Sequence, residues 1–362
     1  MDVDLGALVR NARALAARAG VPLLPMIKAD AYGLGAAAVA RALETVEPWG
    51  YGVATISEGA ALREAGIERP VVVFTPVLPR DFRAVREARL TPALSDPSSI
   101  REWASGPWHL AINTGMNRAG VAWDDMTAVA AATRGCPPEG AFTHLHSAEL
   151  DDGSAAEQVR RFKIAIAALP ERPKLLHAEN SPALERLQVP SEWTLVRPGV
   201  FLYGVDTGGS VPVEPVAALR APIVELRTVR AGESVSYDAT WVAAEPRRVA
   251  TLAAGYADGY RRSLSNVGQV WAGGTLVPVV GIVTMDMTMI DVTGVDCAVG
   301  DEVTLIGAPG PDVVSVARRA GLSPYELLVG LKLRAPRVYR GSPAPAAHGG
   351  TPGTRRGTVS AW

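Results

Sequence analysis

"PMIKADAYGLGA", residues 25–36, joins the end of one apolar segment to the start of a helical one. Lys28 closes the run VPLLPMI, which is typical of a fully buried β-strand. Small residues, Tyr32 and the glycines Gly33 and Gly35 follow before the helical pattern begins. Taken alone, a lysine at the end of such a strand is most simply a solvated charge, because long cationic side chains reach water easily. A chemical use for Lys28 therefore needs support from the rest of the chain.

Short apolar runs alternate with helical segments through about the first 200 residues. Eight runs predict buried strands, at residues 22–27, 51–56, 70–75, 91–95, 109–113, 141–146, 174–178 and 195–199. Seven helical segments separate these runs, and an opening helix near "LVRNARALAARA" precedes them. This alternation predicts an α/β fold, a (β/α)8 TIM-type barrel over residues 1–214.

The character of the sequence changes after about residue 215. Segments rich in β-branched residues and broken by glycine turns predict a mostly β C-terminal domain over residues 215–340. One helical segment, residues 311–332, closes that domain. Residues 341–362 are dominated by Gly, Pro and small polar residues, and we expect this tail to be disordered.

Charge and composition limit the function classes. The net charge of −1 over 362 residues provides no field that would attract nucleic acid or acidic membranes. The two cysteines, Cys136 and Cys297, lie far apart and suit a reducing compartment better than a disulfide framework. The N-terminus is acidic where a signal peptide would be basic, and no apolar run is long enough to cross a bilayer. These features predict a cytoplasmic protein.

Polar residues gather where the predicted barrel strands end, which is where barrel enzymes carry their chemistry. Small polar residues and a glycine follow strands seven and eight, where barrels commonly bind phosphate. A lysine after strand one, facing such a site, suits a phosphorylated aldehyde cofactor held as a Schiff base. The strand-end residues are Lys28, Thr114–Arg118, His144, His146, His177, Glu179–Ser181 and Arg197–Gly199.

A metal site is the leading alternative for the same residues. His144 and His146 are two apart on a predicted strand, so both would point to one side, as metal ligands do. With His177 nearby they could belong to a metal-dependent barrel hydrolase, although no aspartate stands at a barrel-strand end beside them. Taken singly, His177 could also be a hydrogen-bonded core histidine, and Arg118 and Arg197 could each be half of an ion pair.

The motifs of the chain resemble those of the alanine racemases, barrel-fold enzymes that depend on pyridoxal phosphate. They occur in the family's order, at similar spacing, over roughly residues 1–340. The family's fold, a (β/α)8 barrel followed by a β domain, agrees with the pattern described above. The matching motifs are "MIKADAYGLGA", "INTGMNRAGV", "FTHLHSAE", "LLHAENS", "VRPGVFLYG", "VSYDATW", "GYADGY", "GIVTMDMTMID" and "SPYELLVGLKLRAPRVY".

The resemblance implies racemisation of alanine by two bases. Lys28 would hold pyridoxal 5'-phosphate and act as one base, and Tyr256 would be the other, contributed by the partner chain of a homodimer. Removing a proton from one face of the α-carbon and returning one to the other requires bases on both sides. The family's narrow pocket, shaped by Tyr256 and Tyr325, favours alanine, with serine or another small amino acid as the alternative substrate.

The resemblance also implies binding roles. Arg197 would face the pyridine nitrogen, oriented by His177, and His144 would lie against the cofactor ring. Arg118 would contact the substrate carboxylate together with the backbone N–H of Met285 from the partner chain. Asp258 and Asp286 lie close to motifs, with catalytic and structural roles equally open. The expected phosphate-binding set is Tyr32, Ser181, Gly199, Val200 and Tyr325, with Asn180 beside it.

One position departs from the family pattern. Many members carry a lysine, modified to a carbamate, two residues before the (D/N)TGM motif, where this chain has Ala111, and Asn113 replaces the usual aspartate. Because alanine cannot be carbamylated, we expect Arg118 to be held by Asn113 or by a bound anion such as chloride.

Two further alternatives share part of the pattern. A pyridoxal-phosphate decarboxylase of the same barrel superfamily would share Lys28. A non-catalytic cofactor-binding protein would share the barrel but would lack the long β domain.

Overall fold

The computed structural model describes residues 1–103, 106–331 and 334–341 of the chain. Most of the predicted disordered tail, from residue 342 onward, lies outside the described residues. A short first strand, β1 (Asp2–Asp4), precedes a parallel sheet in the order β2-β3-β4-β5-β7-β8, with β6 beside β5. The strands of this sheet are β2 (Tyr51–Val53), β3 (Val71–Val73), β4 (Thr91–Leu94), β5 (His109–Asn113), β6 (Val121–Ala122), β7 (Gly140–Phe142) and β8 (Leu175–His177).

The first and last predicted barrel strands close the barrel as short bridges rather than as ladders. Leu23 pairs in parallel with Val196, and Met26 pairs in parallel with Gly52. Ile27 N–H donates to Gly52 O at 2.9 Å, so the first run bonds β2 as well as the run that contains Val196. These runs contain Pro22, Pro25 and Pro198, and proline has no N–H to donate to a ladder. The eight-stranded barrel is confirmed, with two of its strands reduced by proline.

Helices stand between the strands as the periodicity predicts. The opening helix α1 is capped by Asp4, whose carboxylate accepts from Ala7 N–H at 2.8 Å, and it ends at Gly20 with φ 67°. The third helix begins with a capping box between Thr55 and Glu58. The helices of the barrel are α1 (Leu5–Ala19), α2 (Ala36–Leu43), α3 (Ile56–Glu64), α4 (Phe82–Glu87), α5 (Pro97–Trp103), α6 (Thr127–Thr133), α7 (Ser154–Ala167) and α8 (Ser181–Glu185).

The segment Lys28–Tyr32 forms one turn of left-handed helix between the first barrel strand and α2. Four consecutive residues have positive φ: 53° at Ala29, 58° at Asp30, 53° at Ala31 and 55° at Tyr32. None of them is glycine or asparagine, the residues that enter this region at little cost. The sequence pattern did not predict this turn.

The second sheet is antiparallel apart from one pair. Its path is β14-β13-β16-β9-β1-β17, and β12 pairs with both β9 and β15. The strand β1 pairs antiparallel with β9 and parallel with β17, so residues 2–4 lie in this sheet. The boundary near residue 214 stays a prediction. Besides β1, the strands of this sheet are β9 (Ala217–Val229), β12 (Arg247–Leu252), β13 (Gln269–Ala272), β14 (Thr275–Pro278), β15 (Thr288–Asp291), β16 (Glu302–Ile306) and β17 (Val338–Arg340). The strands β10 (Ser234–Val235) and β11 (Trp241–Val242) form a separate two-stranded antiparallel sheet.

The single helical segment expected at residues 311–332 is two helices, α9 (Val313–Ala320) and α10 (Pro324–Gly330). Gly321 ends α9 with φ 67°, and Ser323 caps α10 by accepting from Glu326 N–H. The expectation of one continuous segment was wrong because a left-handed glycine ends a helix. One apolar core spans both parts, and it includes Leu110 and Leu219. Within the described ranges, no helix is long and apolar enough to cross a membrane.

Candidate active site

A cavity of about 490 Å³ opens at the carboxyl ends of the barrel strands. It brings together most of the residues that the sequence singled out. Tyr256, Met285 and His146 are outside the set that lines it, and His177 lies behind Arg197. The predicted residues that line the cavity are Lys28, Tyr32, Arg118, His144, Asn180, Ser181, Arg197, Gly199, Val200 and Tyr325.

Lys28 is partly buried at the edge of this cavity. Burial, and then the charge of Arg118, lower the pKa of Lys28. Arg197 adds to this lowering, and Glu58 opposes it. The amine is therefore closer to its neutral, reactive form at physiological pH than an exposed lysine is.

The left-handed turn carries the lysine at a conformational cost. Each non-glycine residue in this region costs roughly 1–2 kcal/mol, so the four residues Ala29–Tyr32 together cost about 4–8 kcal/mol. Glu58 offsets part of this cost, because its carboxylate accepts from Ala29 N–H and from Ala54 N–H, each at 2.7 Å. Strain held by surrounding contacts is characteristic of functional segments.

Arg197 is buried in the opposite wall, where its terminal nitrogens are fully used. Nη1 donates to Nδ1 of His177 at 2.8 Å and to its carbonyl at 2.6 Å. Nη2 donates to the carbonyls of Thr143 and Ala178 at 2.6 and 3.0 Å. Within the described part of the chain, Nε–H alone of the five donors has no acceptor, so it is the donor available to the cavity. Burial lowers the pKa of Arg197 to about 9, which leaves it charged at neutral pH.

His109 extends this contact, and sequence reasoning missed it. Its Nδ1 lies 2.8 Å from Nε2 of His177, and both histidines are fully buried. Because an arginine can only donate, Nδ1 of His177 accepts, Nε2 of His177 carries the proton, and Nδ1 of His109 accepts in turn. Burial, with Arg197 adding to it, lowers the pKa of both rings, that of His109 to about 3. The sequence contained one indication of this role. In β5, His109 lies two residues from Ala111 and four from Asn113, so alternation places all three on one face of the strand.

The residues predicted to bind phosphate lie close together at one end of the cavity. Ser181 Oγ accepts from Gly199 N–H at 2.8 Å, which leaves its own hydroxyl proton available. A Cβ at Gly199 would lie 2.7 Å from the hydroxyl of Tyr32, so only glycine fits there. Tyr32 stacks on Tyr203 with ring centroids 4.6 Å apart. Asn180 caps α8, accepting from Ala183 N–H at 3.2 Å, so its side chain is occupied by that role.

Arg118 is not held by Asn113. The side-chain oxygen of Asn113 accepts from the backbone N–H groups of Gly115 and Asn117, and its amide donates to Asn117 at 2.9 Å. These bonds occupy the oxygen of Asn113, the one atom of its side chain that could accept from Arg118, and the sequence expectation for Asn113 was wrong for that reason. Ala111 is buried against Phe142, with Phe74 packed on the pair.

The histidines do not form the metal site of the alternative hydrolase. His144 lines the cavity, whereas His146 is exposed and bonds Ser147 at 2.7 Å. The two side chains do not point to the same side because β7 ends at Phe142. The alternation of side chains in a strand therefore does not extend to residues 144 and 146. Both ring nitrogens of His177 are occupied by Arg197 and His109. In residues 1–103, 106–331 and 334–341, no group of three or more His, Cys, Asp or Glu side chains could hold a metal ion.

Tyr256 and Met285 lie on adjacent loops of the second sheet. Tyr256 N–H donates to Thr284 O at 3.0 Å, and Met285 is 52 % exposed. Arg334, which the sequence analysis did not single out, joins the two loops by ion pairs of 2.7 Å to Asp258 and to Asp286. Burial would raise the pKa of Asp258, but the hydrogen bonds from Arg334 and from Gly255 N–H outweigh it and lower that pKa. In this chain both aspartates are therefore placed in a structural contact.

Two family models match almost the whole of the described chain. Residues 3–207 match the N-terminal domain of alanine racemase, and residues 216–339 match its C-terminal domain. The chain belongs to the alanine racemase family. It is therefore an isomerase, a racemase of alanine, as its sequence predicted.

Curated relatives and solved structures agree with this assignment. The chain is 38 % identical to the alanine racemase of Geobacter sulfurreducens, covering 93 % of this chain and 96 % of the relative. It is also 38 % identical to that of Deinococcus deserti, with 93 % and 97 % covered. Its fold matches the Bartonella henselae alanine racemase, which has covalently bound pyridoxal phosphate, with a TM-score of 0.87 at 29 % identity over 94 % of this chain and 98 % of that one.

Proposed function

We propose that the chain interconverts L- and D-alanine with pyridoxal phosphate held on Lys28, and that Lys28 and Tyr256 of a second copy act as bases on opposite faces. The observation that supports this proposal is the cavity itself, which Lys28, Arg197 and Gly199 all line. A racemase of alanine needs all three functions in one site.

The residues of the cavity fit pyridoxal phosphate. Ser181, Gly199 and the backbone of Val200, with the hydroxyls of Tyr32 and Tyr325, would hold the phosphate. When bound, pyridoxal phosphate withdraws electrons from the α-carbon and so makes its proton removable near neutral pH.

Arg197 would face the pyridine nitrogen through Nε–H. Because the guanidinium keeps its proton, it donates a hydrogen bond there and does not protonate the ring. His144 would lie against the ring; burial, and then the charges of Arg197, Arg118 and Lys28, lower the pKa of His144 to about 3 and keep it neutral.

Lys28 would move the α-proton on one face, and the lowered pKa of its amine suits it to accept that proton. Arg118, whose exposed guanidinium lies at the cavity, would bind the substrate carboxylate. Met285 would add its backbone N–H from the second copy.

Tyr256, the proposed base for the other face, does not line the cavity of its own chain. We therefore propose a homodimer in which each copy completes the site of the other. The ion pairs of Arg334 to Asp258 and Asp286 support this arrangement, since they hold the loops of Tyr256 and Met285 as one unit.

Mixing two inactive variants tests the shared site. Lys28→Ala and Tyr256→Phe each remove one base, and after unfolding and refolding together they form hybrids with one intact site. We expect about a quarter of wild-type activity from the random mixture, since half the dimers are hybrids with one good site of two. Each variant refolded alone serves as the control. A mixture no more active than the two separate samples would place Tyr256 outside the partner's site.

The size of the pocket limits the substrate. Tyr325 lines the cavity and its ring lies 6.2 Å from that of Tyr32, where it would restrict the substrate side chain. A methyl-sized difference discriminates by only ~1–3 kcal/mol, so serine remains a second substrate candidate. Turnover of alanine, serine and larger amino acids by Tyr325→Ala tests this, and an unchanged range would remove Tyr325 from the pocket wall.

We also propose that the protein works in the cytoplasm. Cys136 and Cys297 are free cysteines, which suits a reducing compartment. Cell fractionation with a racemase assay of each fraction would test this location.

A further inference from the structure

The left-handed turn that carries Lys28 is held by a segment from the other end of the chain. Arg337 Nη2 donates to Asp30 Oδ2 at 2.6 Å, and its Nε donates to Gly33 O at 3.0 Å. Tyr339 adds a third contact, from its hydroxyl to Leu34 O at 3.1 Å. These residues stand more than 300 positions from the turn, so nothing local in the sequence supplies these contacts.

Asp30 connects the turn to two other elements at once. Its Oδ1 accepts from Ala36 N–H at 2.7 Å, in the first turn of α2, while Oδ2 accepts from Arg337. The side chain of Arg337 is 24 % exposed and that of Asp30 is 42 % exposed, so the pair is partly shielded from water. Neither residue lines the cavity.

The helix before Arg337 packs directly against the same turn. A Cβ built at Gly33 would lie 2.7 Å from Leu328 O, in α10. Gly33 also has φ 88°, which glycine adopts without strain. The turn is therefore enclosed by α10 and Arg337 on one side and by Glu58 of α3 on the other.

We propose that Arg337, acting through Asp30 and Gly33, is a positioning residue for Lys28. It keeps the turn left-handed and so keeps the amine directed into the cavity, although it touches neither substrate nor cofactor. The functional part of this inference rests on the proposed role of Lys28. The structural part, that Arg337 holds the turn, is independent of that role.

Hydrogen exchange at the turn tests the structural part. The amides of Ala31, Gly33 and Gly35 donate within the turn, to Ile27, Ala29 and Asp30. In Arg337→Met, we expect exchange of peptides covering residues 26–36 to be roughly tenfold faster in the cofactor-free protein, because a charge-assisted contact is lost.

The matched control is Arg340→Met. Arg340 pairs with Asp2 at 3.2 Å and lies in β17, three positions after Arg337, but it does not contact the turn. The Arg340→Met variant removes the same kind of ion pair from the same segment. We expect it to leave hydrogen exchange at residues 26–36 unchanged. Equal exchange in the two variants would overturn the proposal.

Asp30→Asn provides a second variant that keeps an acceptor for Ala36 N–H and replaces the oxygen that faces Arg337 with an NH2 group, so that both the charge and the acceptor for Arg337 are removed. It should reproduce the effect of Arg337→Met, and the double variant should be no worse than either single one, because both break one contact. Fully additive effects would show that the two residues act independently and would contradict the proposal.

Trapping of added pyridoxal phosphate with borohydride, located by peptide mapping over a pH series, tests the effect on Lys28. The charged and titratable groups that face this amine are Glu58, Arg118, Arg197 and His144. A turn that relaxes exposes the amine, so in Arg337→Met the midpoint of trapping should move to higher pH, with kcat lowered several-fold and KM little changed. Arg337→Lys keeps the charge but lacks the planar fork of donors that bonds both Asp30 and Gly33. Its trapping midpoint should therefore lie between those of the wild-type protein and Arg337→Met.

The possible failures are distinguishable. If borohydride never places the label on Lys28 in the wild-type protein, the proposed function fails, and the exchange result still stands by itself. If Lys28 is labelled but the trapping midpoint of Arg337→Met matches that of Arg340→Met, the positioning role fails and the proposed function stands.

Discussion

The two walls of the cavity hold their functional groups in different ways. The lysine wall, residues 28–35, is a strained turn fixed by Glu58 and by the partly exposed pair of Asp30 and Arg337. The arginine wall, formed by His109, His177 and Arg197, is unstrained, buried and joined by hydrogen bonds between neutral rings and one guanidinium.

The difference follows from what each wall would have to do in the proposed mechanism. A base that accepts and returns a proton has to face the substrate, and in this wall the contacts that would keep it there are partly exposed to water. A group that tunes the cofactor ring needs a fixed donor, and a buried network with few alternatives provides one. We expect substitutions and solution conditions to separate the two walls.

The largest effect should come from Lys28→Ala. Without the amine, cofactor attachment and one base are both lost, and we expect racemisation to fall by roughly 10³-fold or more. The visible spectrum of the purified variant and its rate of alanine racemisation measure this. Lys163→Ala is the control, since Lys163 pairs with Glu192 at the surface. A yellow, active Lys28→Ala protein would remove the lysine wall from the mechanism.

Arg197→Lys should have the next largest effect. A lysine cannot make the four contacts of the terminal nitrogens and still direct a donor into the cavity. We expect kcat/KM to fall about 100-fold and stability to fall by about 1–3 kcal/mol, because buried acceptors lose their partner. Arg186→Lys, at a partly buried arginine that bonds backbone carbonyls nearby, is the control. Similar losses in both variants would mean that the arginine wall is only structural.

Mild acid should destabilise the protein through His109 and His177 of the arginine wall and through His144, which lines the cavity. The folded-state pKa values of His109 and His144 are lowered to about 3, and that of His177 is also well below its ordinary value. The unfolded chain therefore binds more protons below about pH 6.5, and stability is lost as the pH falls from there, by up to about 1.4 kcal/mol per pH unit for each ring. Urea unfolding at pH 7, 6 and 5 measures the slope, to which buried carboxylates with raised pKa values, such as Glu179, contribute with the opposite sign. His109→Asn should reduce it, and an unchanged slope would exclude His109 as a contributor.

Salt should produce the smallest effect, and only on the lysine wall. Added salt screens the partly exposed pair of Asp30 and Arg337, so exchange at residues 26–36 should rise about two- to threefold between low and high ionic strength. Peptides containing His177 and Arg197 should not change, because that wall is buried. An equal rise of hydrogen exchange in both regions would show that the two walls do not differ in their dependence on exposed charges.

The barrel and most of the cavity were predictable from the sequence because they depend on local periodicity. Each strand run is apolar on both faces, and strand ends in a barrel converge on one face, so Lys28 and Arg197 could be placed together. The proline-rich runs 22–27 and 195–199 were correctly located, and only their hydrogen bonding differed.

The parts that were missed depend on contacts between distant residues. Alanine favours a right-handed helix, so the left-handed turn at Ala29–Tyr32 depends on Glu58 and Arg337, which the local pattern cannot reveal. His109 was hidden as one polar residue in an apolar run. Asn113 was expected to hold Arg118 in place of the family's modified lysine, whereas its side-chain oxygen accepts from backbone N–H groups of its own loop.

The contact between Arg337 and Asp30 also sets an order of events during synthesis. After Asp30 is added to the growing chain, 307 further residues must be added to complete Arg337. At ~5–20 residues per second this delay is roughly 15–60 s, during which the lysine turn lacks one of its supports. The nascent barrel therefore emerges with this turn held by Glu58 but not yet by Arg337, and the full set of contacts forms only in the completed chain.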